Sequence, residues 1–474
     1  MDLSPGMTTA TDLSALVATV LPPERMAAGE TTADYGHDEA LGLAPQVPGL
    51  VAWPETPAEV SALLRLAAEH DVPVTARGSG TGLSGAAIPA AGGLVVCFER
   101  MNRILEIDLA NQVAVVEPGV TLAQLDQATG AVGLVYPVFP GESSASIGGN
   151  VATNAGGMRA VKYGVTRHQV LGLELVLAGG EVIRTGGRFV KGSSGYDLTQ
   201  LVIGSEGTLA LVTEATLRLY PRPQHQATVL APFRTLDEVM AAVPPVVASG
   251  IGPLIVEYVD QITMASIATH VGLDFGVPAA VKEQAFAYLV VMLEQLGADR
   301  LDEDVEALAL QLSDLGALDV YVLPPQAASQ LVGGREQAFW LAKAAGADDI
   351  VDVVVPRASI SAFMSAAAGL AEQHGALVVG CGHAGDGNVH LSVFQPDPVS
   401  RSQLMRALFR AGLDLGGVIS GEHGLGRAKR KYFLELEDPT KLALLRRLKD
   451  AFDPRGILNP GVLFDPSPAL GPPA

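Results

Sequence analysis

Apolar residues recur along the chain at two periods, and the switches between them mark out the elements. Residues 11 to 21 have the pattern of a short amphipathic helix, after which a polar, proline-spotted stretch runs to Pro48. Thr56-Pro57-Ala58-Glu59 reads as a capping box with proline at the first helical position, and Val60, Leu63, Leu64 and Ala67 supply a stripe at helical spacing. This helix is predicted to end near His70, with a strand over Val72 to Ala76 behind it. Short apolar runs predict strands at Leu94 to Phe98, Ile104 to Asp108 and Val113 to Glu117, then a helix from Thr121. Gly172 to Leu177 and Glu181 to Arg184 flank Ala178-Gly179-Gly180 as a hairpin. Leu209 to Leu219 alternates like a half-buried strand, and Pro221-Arg222-Pro223 breaks the pattern.

Beyond Ala227 the texture changes. Strands at Ala227 to Phe233, Leu254 to Val259, Ala287 to Met292, Val320 to Leu323 and Ile350 to Val355 alternate with helices at 235 to 248, 261 to 271, 302 to 315 and 358 to 374. The order predicts an α+β unit in which helices cover one face of a mostly antiparallel sheet. Two more strand signals, Ala376 to Val379 and Asn388 to Phe394, and a helix over Leu442 to Phe452 complete the pattern.

Glycine changes this picture most. Residues 78 to 207 hold 24 of the 53 glycines, so that stretch needs bare backbone, which suits main-chain amides brought close to an anionic ligand. Arg77 to Gly85 contains a literal G-x-G-x-x-G, Gly80 to Gly85, after an apolar run. A dinucleotide-binding fingerprint requires those glycines to open a helix, but Pro89, Gly92 and Gly93 follow and argue against one. The loop is therefore read as a nest of amides gripping phosphates with no helix behind it, and a nicotinamide cofactor is rejected. Ser146 to Gly157 and Gly204 to Leu209 are the other two glycine motifs.

At 474 residues the chain exceeds one core, and hydrophobic residues make up 48% against 17% charged. No apolar stretch approaches a membrane span and no secretory signal is visible at the N-terminus, so a cytoplasmic protein that is not integral to a membrane is expected. A net charge of −20 speaks against nucleic acid. Two cysteines, Cys97 and Cys381, are too few for a disulfide framework.

A second constellation carries reactive side chains: Gly382-His383-Ala384-Gly385-Asp386-Gly387-Asn388-Val389-His390 and Ser420-Gly421-Glu422-His423-Gly424. On the predicted strand, Val389, Leu391 and Val393 share one face and Asn388, His390 and Ser392 the other. A turn between His383 and His390 lets the two imidazoles converge, and Glu422 would complete a His₂Glu set suited to zinc or manganese. The alternative is a histidine pair that donates to backbone or solvent. Arg427, Lys429, Arg430 and Lys431 form a basic cluster, read either as a field that draws in acids or as a solvated helix start.

Pro73 to Thr81, Ser146 to Gly157, Gly195-Tyr196-Asp197-Leu198 and Gly204 to Leu209, in that order, resemble the flavin domain of the vanillyl-alcohol oxidase/p-cresol methylhydroxylase superfamily. Within it the chain is most similar to the 2-hydroxy-acid dehydrogenases: the glycolate oxidase flavoprotein subunit, D-lactate dehydrogenase and D-2-hydroxyglutarate dehydrogenase. The resemblance spans about residues 35 to 465. It implies an N-terminal helical segment (1–45), a two-part FAD-binding domain (46–223), an α+β substrate domain (224–440) and a C-terminal segment (441–474) that returns to the flavin domain. It also implies FAD contacts from Arg77, Gly78, Ser79, Gly80, Thr81, Gly82, Gly141, Ser146, Gly148, Gly149, Asn150, Thr153, Asn154, Gly156, Gly204, Glu206, Gly207 and Asn459. Neither His nor Cys occurs in the first glycine loop or at 146 to 157, so the FAD is expected to be noncovalent.

In the same resemblance His383, His390 and Glu422 match metal ligands, His423 matches the catalytic base, and Asn388 joins them. The expected chemistry is oxidation of a 2-hydroxy acid to the 2-oxo acid, with hydride to flavin N5 and the hydroxyl proton to an imidazole whose ordinary pKa is near 6.5. Gly334 to Phe339 resembles an arginine motif that pairs with the substrate carboxylate, which makes Arg335 the candidate; its alternative is a helix-surface arginine. Two positions depart from the family pattern. Val332 stands where a Trp is usual, and Ile350 where the 2-hydroxyglutarate type has a Lys, so a small monocarboxylate such as glycolate or D-lactate is expected. Competing readings are an alkyl-dihydroxyacetonephosphate synthase-like FAD transferase and a noncatalytic electron-transfer subunit. The electron acceptor is left open among quinone, cytochrome, electron-transfer flavoprotein and an iron-sulfur subunit, as is the oligomeric state, a homodimer included.

Overall fold

The structure is a computed structural model that describes residues 10–272 and 275–464. Strands β1 (Met26–Ala27), β2 (Leu50–Ala52), β3 (Val74–Arg77) and β4 (Leu94–Cys97) form a sheet of order β1-β2-β4-β3, parallel at both β4 interfaces. The Pro57–Glu69 helix makes the crossover. Its N-cap Thr56 accepts from the Glu59 N–H, and Val60, Leu63, Leu64 and Ala67 are fully buried, as the spacing predicts.

The chain continues through β5 (Ile104–Asp108), β6 (Val113–Val116), β7 (Leu134–Val135), β8 (Val170–Val176), β9 (Val182–Gly186), β10 (Leu211–Arg218) and β11 (Tyr220–Pro221). Five of these make an antiparallel sheet, β5-β6-β10-β8-β9, while β7 pairs with β11. The β8–β9 pair is the expected hairpin. The seven-residue helix Ile147–Thr153, inside the second glycine motif, was not expected. Two glycines conceal it from a propensity reading, but the Ser146 side chain caps it by accepting from the Gly149 N–H.

The remaining strands are β12 (His225–Phe233), β13 (Ile255–Asp260), β14 (Ala287–Gln295), β15 (Tyr321–Leu323), β16 (Asp349–Val354), β17 (Leu377–His383) and β18 (Asn388–Phe394). They form a seven-stranded sheet, β15-β12-β14-β13-β17-β18-β16, antiparallel at every interface. Helices cover both faces rather than the one expected. Helices Leu236–Ala248, Ala298–Asp314, Ile360–Gln373 and Pro398–Asp414 pack on the face of Val229, Leu289, Val353 and Leu391. Helices Gln261–Val271 and Pro325–Glu336 cover Leu230, Tyr288 and Val290 on the other. The reason is visible in β12 and β14, whose consecutive apolar residues leave no polar face to turn to water. The helices at 325–344 were missed because their apolar residues form no clear stripe; the Pro398–Asp414 helix was missed although Leu404, Met405, Leu408 and Phe409 stand at helical spacing.

After the Pro439–Phe452 helix the chain returns to β3: the Val74 N–H donates to Ile457 O and the Asn459 N–H to Val74 O. Among the described residues no helix is long and apolar enough to cross a membrane.

Candidate active site

The three glycine motifs converge on one elongated cavity of about 200 Å³. Gly78, Ser79, Gly80, Thr81, Gly82, Gly141, Ser146, Gly149, Asn150, Thr153, Glu206 and Gly207 line it. A Cβ at Gly78 would collide with the Ser146 hydroxyl, so a larger residue there must displace that side chain. As the proline and glycine pair implied, no helix follows the first loop. No lysine or arginine lines the cavity, while Asp38, Glu142, Glu206, Glu336 and Glu422 do, so an anionic group in it depends on the main-chain amides and hydroxyls of the glycine loops.

Six of the expected contact residues lie outside this wall. Arg77 donates to His37 O and Asp34 O, tying the loop to the preceding segment. Gly148 packs against Pro118, and Asn154 accepts from the Arg167 N–H in a left-handed conformation. Gly204 adjoins Asn154, and Asn459 donates to Ala86 O and Glu206 O. Gly156 faces the other constellation: a Cβ there would sit 2.7 Å from Glu422 Oε2.

That constellation sits where β17 turns into β18. His383 Nε2 and His390 Nε2 lie 3.2 and 3.1 Å from the same oxygen, Glu422 Oε1. His423 stacks on His390 with ring centroids 5.0 Å apart, its Nε2 4.0 Å from that oxygen. The sequence reading missed two buried acids behind the cluster, one bonded to the His383 ring and one to the backbone that carries Glu422 and His423. Glu257 on β13, fully buried, places Oε1 2.5 Å from His383 Nδ1 and Oε2 2.8 Å from Arg335. Asp352 on β16 has no exposed surface and accepts from the main-chain N–H of Gly421, Glu422 and His423, from Asn388, from Ser420 and from Lys429. Both were legible as single acids inside apolar strands, Ile255-Val256-Glu257-Tyr258-Val259 and Ile350-Val351-Asp352-Val353.

Electrostatics follow from burial and these pairings. Burial alone would lift Asp352, but His423 and Lys429 hold it far below the usual carboxylate range. Burial opposes a charge on His383, yet Glu257 and Glu422 hold it well above the ordinary imidazole value. His423 goes the other way: burial takes it down to about 4, against the pull of Asp352. A neutral imidazole is a proton acceptor at neutral pH.

A second cavity of about 200 Å³ runs from the cluster, lined by Arg335, His383, His390, Glu422 and His423. Leu83, Pro140, Gly141, Glu336, Phe339, Glu422 and His423 line both cavities, so the two share a wall. Arg335 is buried rather than on a helix surface, and neither its Nε nor its Nη2 makes a well-aligned hydrogen bond. Asn388 lines neither cavity; its amide donates to Asp352 and Val353 O. The basic cluster is the start of the Arg430–Leu436 helix, with Lys431 exposed, but the rest of it is tied down rather than solvated. Lys429 is buried on Asp352, Arg427 donates to Ile88 O and Pro460 O, and Arg430 donates to Gly461 O. Cys97 and Cys381 are free and buried.

The family model described as FAD linked oxidases, C-terminal domain, matches residues 222–463, and one described as FAD binding domain matches 48–186. The chain belongs to the FAD-linked oxidase family. An uncharacterized FAD-linked oxidoreductase of Mycobacterium tuberculosis is 59% identical, covering 91% of this chain and 94% of the relative. The glycolate oxidase subunit GlcD of Bacillus subtilis is 38% identical over 91% and 92% of the two chains, and a D-lactate dehydrogenase of Archaeoglobus fulgidus 39% over 87% and 90%. This FAD-linked oxidase therefore falls in the branch of those enzymes. Solved structures of p-cresol methylhydroxylase (TM-score 0.78, 20% identity, 96% and 97% covered) and alkyldihydroxyacetonephosphate synthase (0.72, 17%, 97% and 86%) show the fold alone.

The residues present fit FAD, since Gly82, Gly141 and Gly207 on the cavity wall leave space where a side chain would stand. They also fit a divalent cation. Two imidazole Nε2 atoms lie 3.2 and 3.1 Å from one carboxylate oxygen, and the far nitrogen of His383 is held by a carboxylate, as ligating histidines are usually held.

Proposed function

We propose that this oxidase converts a monocarboxylic 2-hydroxy acid to the 2-oxo acid, using FAD held noncovalently and a divalent ion, zinc or manganese, at His383, His390 and Glu422. One observation carries the reading: Glu422 and His423 line both cavities, so a molecule against the cluster also abuts the glycine-walled cradle. When bound, FAD supplies the two-electron acceptor and the ion a Lewis acid for the hydroxyl oxygen. Arg335, buried in the cavity wall with its Nη2 paired to Glu257 and its Nε without a partner, receives the substrate carboxylate. His423, kept neutral by burial, takes the hydroxyl proton as hydride leaves the α-carbon. Asp352 orients that base through its main-chain N–H and holds Glu422 in the same way.

The experiment is anaerobic addition of a panel of 2-hydroxy acids to the FAD-loaded protein. Bleaching of the flavin band is expected, with loss of bleaching after chelation while the FAD stays bound. A flavin that no 2-hydroxy acid reduces would overturn the assignment.

A further inference from the structure

The second cavity does not stop at the histidines. Along β18, His390, Ser392 and Phe394 point to the same side, and cross-strand pairing sets their neighbours. His390 lies between Cys381 and Asp352; one step on, Ser392 lies between Val379 and Ile350; one step further is Phe394. The polar row gives way, about 7 Å along the strand, to one in which the apolar Val379 and Ile350 flank Ser392, since two residues advance a strand by that much. Ile350, Val379 and Phe394 all line the cavity, and Leu341 and Ala342 of the Ala338–Ala344 helix line it as well. No lysine lines it, and Arg335 is its only guanidinium. Lys343, on the same helix as Leu341, has its Nζ 2.7 Å from Glu39 and is not part of the wall.

Resting on the proposed 2-hydroxy-acid chemistry, we infer that the substrate carries an extended apolar side chain seated against Ile350, Val379, Phe394 and Leu341. This goes beyond the glycolate or lactate that the missing lysine suggests. Those acids would leave the apolar row against water, while a distal carboxylate would be buried there without a cation. Ile350 accounts for both effects, since it withholds a charge partner and adds apolar surface.

The test compares kcat/KM for glycolate, both enantiomers of lactate, 2-hydroxybutyrate, 2-hydroxyhexanoate and 2-hydroxyglutarate, with the FAD-loaded protein and an artificial dye acceptor. Each methylene that the annex buries is expected to raise kcat/KM about fourfold, so one 2-hydroxyhexanoate enantiomer should exceed lactate by more than tenfold. Ile350→Phe and Val379→Phe, made separately and checked for bound FAD, should each lower the hexanoate-to-lactate ratio by about tenfold. Lactate, glycolate or 2-hydroxyglutarate matching or surpassing the hexanoate would overturn the inference and leave the proposed chemistry intact. So would an unchanged ratio in both FAD-retaining variants. Failure of every 2-hydroxy acid to reduce the flavin would overturn both.

Discussion

The cradle and the cluster share a wall but are built by opposite means. In the cradle the backbone makes the surface: three local glycine motifs bend, and only small residues such as Gly78 let them approach. In the cluster, side chains from β13, β16, β17, β18 and the 420–423 loop meet; the buried Glu257 holds His383 and Arg335, and the buried Asp352 holds the 420–423 backbone. A surface made of main chain tolerates changes that leave the turns intact and fails when a Cβ intrudes. A surface made of paired charges fails when one partner is removed, because the other is left buried and unpaired.

Substitutions on either side of the wall test this contrast. The largest effect is expected from His423→Asn, which should slow flavin reduction by roughly 10³-fold, within the range for a general base, while leaving FAD bound. Loss of FAD in that variant would merge the two regions into one unit. Asp352→Asn keeps one acceptor oxygen but removes the charge that pairs with Lys429 and turns an NH2 donor toward either the Asn388 amide or the three main-chain N–H groups. It should destabilise the protein by about 3 kcal/mol and weaken retention of the proposed ion, seen as a fall in denaturation midpoint and in metal content. Gly78→Ala should act on the cradle alone. Displacing the Ser146 cap is expected to weaken FAD about tenfold, read by flavin titration, with metal content unchanged.

The smallest effect concerns Glu206, which accepts from the Leu425 and Gly426 N–H and whose pKa burial raises from 4.5 to about 7. A raised carboxyl stabilises the folded state below its unfolded pKa, and that contribution is lost as pH climbs through the folded one. Between pH 5 and pH 8, roughly that window, Glu206→Gln should gain in melting temperature relative to the parent. A pH-independent difference would mean that Glu206 does not titrate there.

This contrast also explains what the sequence could show. The cradle is encoded in short contiguous motifs, so its wall and the missing helix behind the first loop were readable, as were the Thr56 cap and the β8–β9 hairpin. The imidazoles and Glu422 stood out because they sit in two compact motifs. Glu257 and Asp352 did not, because a lone acid in an apolar strand gains meaning only when strands far apart in sequence become neighbours. Lys429 was misread for the same reason: its partner lies 77 residues away. Arg77 and Asn459 were placed among the cofactor contacts, but their side chains bond carbonyls that brace the loops.

The shared wall is tested most directly by stopped-flow anaerobic reduction of the FAD-loaded protein with a 2-hydroxy acid carrying hydrogen or deuterium at the α-carbon. Bleaching that slows with deuterium is expected, because the α-hydrogen would move directly between molecules held on the two sides of Glu422 and His423. Bleaching at an identical rate in parent and His423→Asn protein, or none in the parent, would contradict it.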